Sequence, residues 1–270
     1  MTVAQQATLI PGIKVDTVLQ HCLDSSIDTQ LLEADRQKSA AHESGRLWPR
    51  DRLAAGRLWW PLQWQALKSL GCPPRAFDSY ARRLFARGIQ CEDWLVPQMI
   101  TMVASLQAEV NRPLPCQEQV PVTYRQVGGY IDIQIAGTPW EIKSVKNSKY
   151  ARIKADGEPQ KGHLYQGCLY ALAIGSPTFG VIYVAADDFR VLPFVVDTAF
   201  IQPEVDRIID LFNGWYDRCH QASRLVPMVP KYYPGETWHN NPKYNSYPTW
   251  AGLDEVQRAV KLAGEIDSWT

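Results

Sequence analysis

Three ionisable side chains, Asp132, Glu141 and Lys143, interrupt the stretch GGYIDIQIAGTPWEIKSVK at residues 128–146, which Lys146 closes. Tyr130, Ile131, Ile133 and Ile135 are strand formers, Gly137-Thr138-Pro139 carries turn chemistry, and Trp140, Ile142 and Val145 resume the apolar pattern, so the stretch reads as strand, turn, strand. Side chains alternate along a strand, which puts Glu141 and Lys143 on one face and Ile142 on the other. A connection of two or four residues sets Asp132 opposite Lys143 or Val145 and on the Glu141 face. A connection of three turns it away unless a bulge restores the count. Two carboxylates and an ammonium on one face describe either a solvated surface with a cross-strand ion pair or a site for a hard divalent cation. In the second case the carboxylates hold Mg2+ or Mn2+, which keeps waters for a phosphate to replace, and the ammonium positions or activates an attacking water.

Asp132 followed by Glu141-Ile142-Lys143 resembles the D…(D/E)-x-K signature of the PD-(D/E)XK nucleases, with Ile131 where a proline often precedes the aspartate. Gln166-Gly-Cys-Leu-Tyr170 resembles the Q-x-x-x-Y motif of the RecB-type exonuclease branch. On a helix, residues four apart share a face, so an amide and a phenol reach the same groove. Upstream, Gly88-Ile-Gln-Cys-Glu92 is similar to the G-x-x-x-H segment of that branch, with Glu92 at the histidine position; a carboxylate suits a hard cation.

The resemblance implies a DNA exonuclease dependent on magnesium or manganese, serving recombination, repair or the processing of phage DNA. Asp132, Glu141, the Ile142 carbonyl and Glu92 would bind metal, and Lys143 would serve the nucleophilic water. Gln166 and Tyr170 would hold the scissile strand, while Lys146, Lys149, Arg50 and Arg52 would contact DNA phosphates. The partner is single- or double-stranded DNA ends, with a homo-oligomer and a recombination or single-strand-binding protein as further partners. An endonuclease of the same fold and a catalytically silent DNA-binding scaffold are the alternatives. Many relatives of this branch hold an iron–sulfur cluster with three cysteines in the C-terminal tail. Here the cysteines fall at 22, 72, 91, 116, 168 and 219, and TWHNNPKYNSYPTW follows, so no cluster is expected.

Formal net charge is zero, which excludes a protein that coats nucleic acid by bulk electrostatics. Basic residues are instead gathered locally: Lys143, Lys146, Lys149, Arg152, Lys154 and Lys161 in one stretch, Arg46, Arg50, Arg52 and Arg57 in a second, and Arg75, Arg82, Arg83 and Arg87 in a third. Confined patches of this kind suit phosphate contact in a groove. No apolar run has the length of a membrane span, and the first residues lack a signal-peptide pattern, so a cytoplasmic protein is expected, of bacterial cytoplasm or a phage-infected host.

The elements that must position these groups follow from periodicity. Helices are predicted over 74–86, 88–108, 162–174, 203–222 and 253–266, strands over 120–126, 179–185 and 189–196 besides the hairpin, and a polar crossing over 147–161. The order α-β-β-β-α-β matches the core that the resemblance implies, a mixed central sheet flanked by N-terminal and C-terminal helices, hence an α/β fold. A single nuclease domain, 1–270, is expected: a helical region over 1–86, a catalytic core over 87–197, and a C-terminal helix, arm and final helix over 198–270. Trp48, Trp59, Trp60 and Trp64 read as core packing, or as a stacking wedge at a strand end. Residues 225–250 hold five prolines and six aromatic side chains, which suits an ordered arm on the core.

Overall fold

The structure, a computed structural model, describes residues 29–34, 36–37, 53–221, 245–250, 253–254, 257–258, 260–261 and 264. Its centre is a five-stranded mixed sheet in the order β1-β2-β3-β4-β5, formed by Cys116–Tyr124, Val127–Ile135, Thr138–Val145, Thr178–Ala185 and Val191–Asp197. Neighbours are antiparallel except β3 and β4, which run parallel, from Trp140↔Gly180 to Val145↔Ala185. That parallel step needs a crossover, supplied by two helices, α3 (Asn147–Asp156) and α4 (Lys161–Ile174). Helices α1 (Leu62–Ser69) and α2 (Ser79–Val110) precede the sheet, and α5 (Thr198–Gln221) follows it. The fold is therefore the mixed α/β architecture read from the sequence. Among the described residues no helix is long and apolar enough to cross a membrane.

Two core clusters lie on opposite faces of the sheet, as strand alternation requires. Val181, Tyr183 and Val145 face the larger one, with Leu169 of α4 and Val205, Ile209 and Phe212 of α5. Ile142, Ile182 and Val184 face the smaller one, with Cys91, Leu95 and Met99 of α2. A third cluster joins Trp64 and Leu67 of α1 to Tyr247 and Trp250. Of the tryptophans, Trp64 is buried in that cluster, and Trp59 donates its indole N–H to the Gly56 carbonyl at 3.0 Å and packs against Gly162. Trp64 is thus a core residue, while Trp59 is 36% exposed; Trp48 lies outside the described residues, as do Arg50, Arg52 and most of the arm.

Several boundaries differ from those predicted. The two helices expected over 74–108 are one, α2, running through both Gly88 and Pro97. Asp78 caps it, accepting the Ala81 N–H at 2.8 Å, and Asn111 closes it in the left-handed region. Gly88 reads as a breaker, yet it sits where α2 crosses β3: a Cβ there would lie 3.2 Å from Ser144 Oγ. The expected polar crossing over 147–161 contains α3, because Tyr150 and Ile153, three apart, bury one helical stripe and Gly157 at φ 70° stops it. Helix α5 begins at Thr198 rather than 203, since Asp197 accepts the Ala199 N–H at 2.9 Å and so caps the chain ahead of Pro203. β1 begins at Cys116 and ends at Tyr124, because Arg125 and Gln126 take positive φ and form the turn into β2.

Candidate active site

The hairpin closes with a two-residue connection, Ala136-Gly137, and its rungs are Ile135↔Thr138, Gln134↔Pro139 and Ile133↔Trp140. This register is one step tighter than predicted: continued, it faces Asp132 with Glu141 rather than with Lys143 or Val145. The ladder stops there. β2 continues on β1 and β3 on β4, so the two strands part and leave a split between them. Strict alternation also fails at this point, since Ile131 packs in the larger core cluster and Ile133 in the smaller one. Opposite, Gln119 has φ +50° between the rungs Glu118↔Ile133 and Val120↔Ile131, so both strands turn over together.

Asp132 stands at the apex of the split. Its Oδ2 accepts the Ile142 backbone N–H at 2.7 Å, which ties β2 to β3 where the ladder would have continued. Asp132 also lines an acidic cavity of about 390 Å³ with Glu92, Asp93 and Glu118. Glu92 comes from α2, and Gln119 Nε2 donates to it at 2.8 Å. On β3, the Glu141 side chain is 0% exposed and pairs with the Lys143 ammonium, itself 26% exposed. Oε2 of Glu141 is buried with no hydrogen-bond partner among the described residues. Burial pulls Lys143 below the ordinary lysine range, while the nearby Asp132 and Glu92 carboxylates favour its charged form.

The other wall comes from α4. Gln166 Nε2 donates to the Tyr170 hydroxyl oxygen at 2.8 Å, the i,i+4 pairing that the spacing predicted. The Tyr130 backbone N–H also bonds that oxygen, so the phenol's own proton is left to donate. Burial, with the Asp132 charge second, pushes the Tyr170 phenol far above its ordinary range, so it stays protonated. It fits against β2 only because residue 129 is glycine: a Cβ there would lie 2.6 Å from Tyr170 Cε1 and 2.9 Å from the Ala55 Cβ.

The structure thus brings Asp132, Glu141, Lys143, Glu92, Gln166 and Tyr170 to the two walls and apex of one split. Ile142 contributes its N–H to Asp132 and buries its side chain in the smaller cluster. Lys146 and Lys149 are exposed beyond the end of β3, and Lys149 lines a separate open cavity of about 740 Å³ with Arg152 and Lys161. Among the described residues no three His, Cys, Asp or Glu side chains converge as a ready metal-ligating group. The donors that are present nonetheless suit a hard cation: all are oxygens, and one of them, Oε2 of Glu141, is a buried carboxylate oxygen without a hydrogen-bond partner among the described residues.

Solved structures of similar arrangement include an alkaline exonuclease, LHK-Exo, from Laribacter hongkongensis, at 13% identity over 64% of this chain and 94% of that one, with a TM-score of 0.44. A phage related exonuclease from Haemophilus somnus 129PT shows 11% identity, 64% and 96% coverage and a TM-score of 0.36. SSO0001 shows 16% identity, 84% and 98% coverage and a TM-score of 0.42. No family model matches the sequence, and no curated protein does.

Sequence reasoning passed over His163. Its Nδ1 lies 2.8 Å from the Tyr183 hydroxyl, which also accepts the Gln160 N–H at 2.9 Å. That oxygen, already accepting, gives its proton to Nδ1, and the imidazole then carries its hydrogen on Nε2. Burial first, then Lys143 and Lys149, lowers the His163 pKa to about 3 from its ordinary 6.5. In that window an unfolded chain protonates His163 and the folded chain does not, so stability falls as pH drops below 6.5 and is flat above it. His163→Gln is expected to flatten this acid limb: its thermal midpoint should fall less between about pH 6.5 and about pH 4 than the wild type's. Parallel limbs in the two proteins would show that His163 does not titrate this way. No local motif announces such a residue; only its position three before Gln166, on the same helix, hints at it.

Proposed function

We propose that this chain is a magnesium- or manganese-dependent deoxyribonuclease of the PD-(D/E)XK type, an exonuclease of the RecB-like branch acting on DNA in recombination, repair or phage DNA processing. The observation that carries this reading is the buried, half-satisfied Glu141 carboxylate beside Lys143, in the one place where β2 and β3 separate around Asp132. Burying a charge without full pairing costs several kcal/mol, roughly. A half-satisfied buried carboxylate at a strand split supports a bound cation as its missing partner.

Asp132, Glu141 and the Ile142 carbonyl would hold the metal, with Glu92 completing the set. When bound, the ion would supply Lewis-acid polarisation of a phosphoryl oxygen. The chain's own groups do the rest. Lys143, pulled below the ordinary lysine range by burial and held back from further loss by Asp132 and Glu92, orients the attacking water and offsets charge growing at phosphorus. Tyr170 donates its remaining proton to a phosphate oxygen, held in line by Gln166 and Tyr130. Lys146 and Lys149 neutralise the flanking phosphates, with Arg50 and Arg52 assigned the same part. The whole chain acts as one domain around the core over 87–197.

Release of acid-soluble nucleotides from linear and circular DNA, with magnesium or manganese against calcium, tests the reading. Linear DNA alone is expected to be degraded, and calcium is expected to fail. Cleavage of circular DNA would replace the exonuclease with an endonuclease. No release from either form with either metal would remove the enzyme altogether.

A further inference from the structure

The start of α2 and the residues just before it present three aromatic side chains to solvent. Phe77, Tyr80 and Phe85 are 57%, 49% and 49% exposed, and none belongs to a core cluster. The Phe77 and Phe85 rings meet edge-on with centroids 4.8 Å apart. With Tyr80 and Arg75 they border an open cavity of about 270 Å³. Lys146 Nζ donates to the Tyr80 hydroxyl at 2.8 Å and lies 5.5 Å from the centre of its ring. Lys146, an odd step from Lys143, points to the opposite face of β3, the face that α2 covers. Tyr80 and Glu92 lie on that same helix, twelve residues or about 18 Å apart, so the aromatic patch leads along α2 to the Glu92 wall of the split.

Its charge narrows what it can receive. In the sequence around the patch four arginines, Arg75, Arg82, Arg83 and Arg87, outnumber one acid, Asp78, whose carboxylate caps α2; Arg87 pairs with Asp187 at 3.5 Å. Aromatic rings set among cations repel a basic partner and do not match a purely apolar one. They match a strand that offers flat bases and phosphates together, and only an unpaired strand has base faces to offer.

The geometry points to Phe77, Tyr80 and Phe85 as a stacking platform for the unpaired bases of a single strand leading into the split, with Lys146 holding a phosphate between platform and site. This rests on the nuclease reading and deepens it, because it makes the substrate strand single-stranded on arrival. Duplex DNA keeps its bases stacked inside and would meet only the cations.

The test is equilibrium binding, by fluorescence anisotropy in calcium, of a labelled oligothymidine and of a blunt hairpin duplex. Phe77→Ala/Phe85→Ala removes two exposed rings and is expected to fold, with an unchanged thermal midpoint; Tyr80→Leu is the second variant. Each is expected to bind the oligothymidine about tenfold more weakly, the loss of one stacked base, with duplex affinity unchanged. A 2-aminopurine placed in the oligonucleotide should be quenched by the wild type and recover its emission on the double variant. Wild-type affinity and quenching in both variants would overturn the platform, as would an equal loss for strand and duplex. A wild-type protein that binds neither DNA would instead overturn the nuclease reading, and the platform with it.

Discussion

Glu141→Gln is expected to lose at least about a hundredfold of DNA hydrolysis, the scale on which single charge-stabilising groups act, and to lose the response of the fold to metal. The wild type should melt higher in magnesium than in chelator, because a ligand that binds only the native state stabilises it: by about 2.7 kcal/mol at a hundred times its dissociation constant. For a chain of this size that is a shift of roughly 5–10 °C. Glutamine keeps the shape of the side chain and one oxygen toward Lys143, but it replaces the unsatisfied Oε2 with an N–H that no cation accepts. Thermal scans with and without magnesium, beside nucleotide release, read both effects. A variant that keeps its activity and its metal shift would move the site away from β3.

Gly129→Ala is expected to cost about 1–3 kcal/mol of stability, the usual penalty for overpacking a core, and to lower hydrolysis about tenfold or more. The added methyl would stand 2.6 Å from Tyr170 Cε1 and 2.8 Å from its hydroxyl oxygen, with the Ala55 Cβ at 2.9 Å blocking retreat. Tyr170 is fully packed, so it must shift, and its hydrogen bond with Gln166 shifts with it. The cause can be isolated with a double-mutant cycle. Tyr170→Ala alone opens a cavity, and the added methyl then no longer clashes with the ring, so the stability losses of the pair should sum to less than the two separately. Activity should stay low in both backgrounds. Strictly additive losses in denaturant unfolding would mean that Gly129 matters for some reason other than room for Tyr170.

The two variants probe opposite walls of the split, and they differ in how visible their targets are in the sequence. Glu141 announces itself, since a carboxylate amid Trp140, Ile142 and Val145 conflicts with the burial that surrounds it. Gly129 does not. It reads as ordinary turn or strand punctuation until the structure shows Tyr170 arriving from a helix forty-one residues later. His163 is hidden for the same reason: its partner, Tyr183, lies twenty residues away on the next element, β4.

Local pattern carried the hairpin, the Gln166–Tyr170 pairing and the α-β-β-β-α-β order, because each depends on short-range geometry: alternation in a strand, a four-residue step in a helix, glycine in a turn. The register was legible only in parity, and the structure moved it one rung, since strand ends are fixed by pairing with β1 rather than by the turn. The helix break expected just before Gly88 was overruled by packing of α2 on β3. Which residues meet at the split was a tertiary decision throughout. The chain specified the chemistry of each strand and helix, but the parting of β2 from β3, the turn at Asp132 and the seat of Tyr170 on Gly129 exist only once elements distant in sequence compete for the same space.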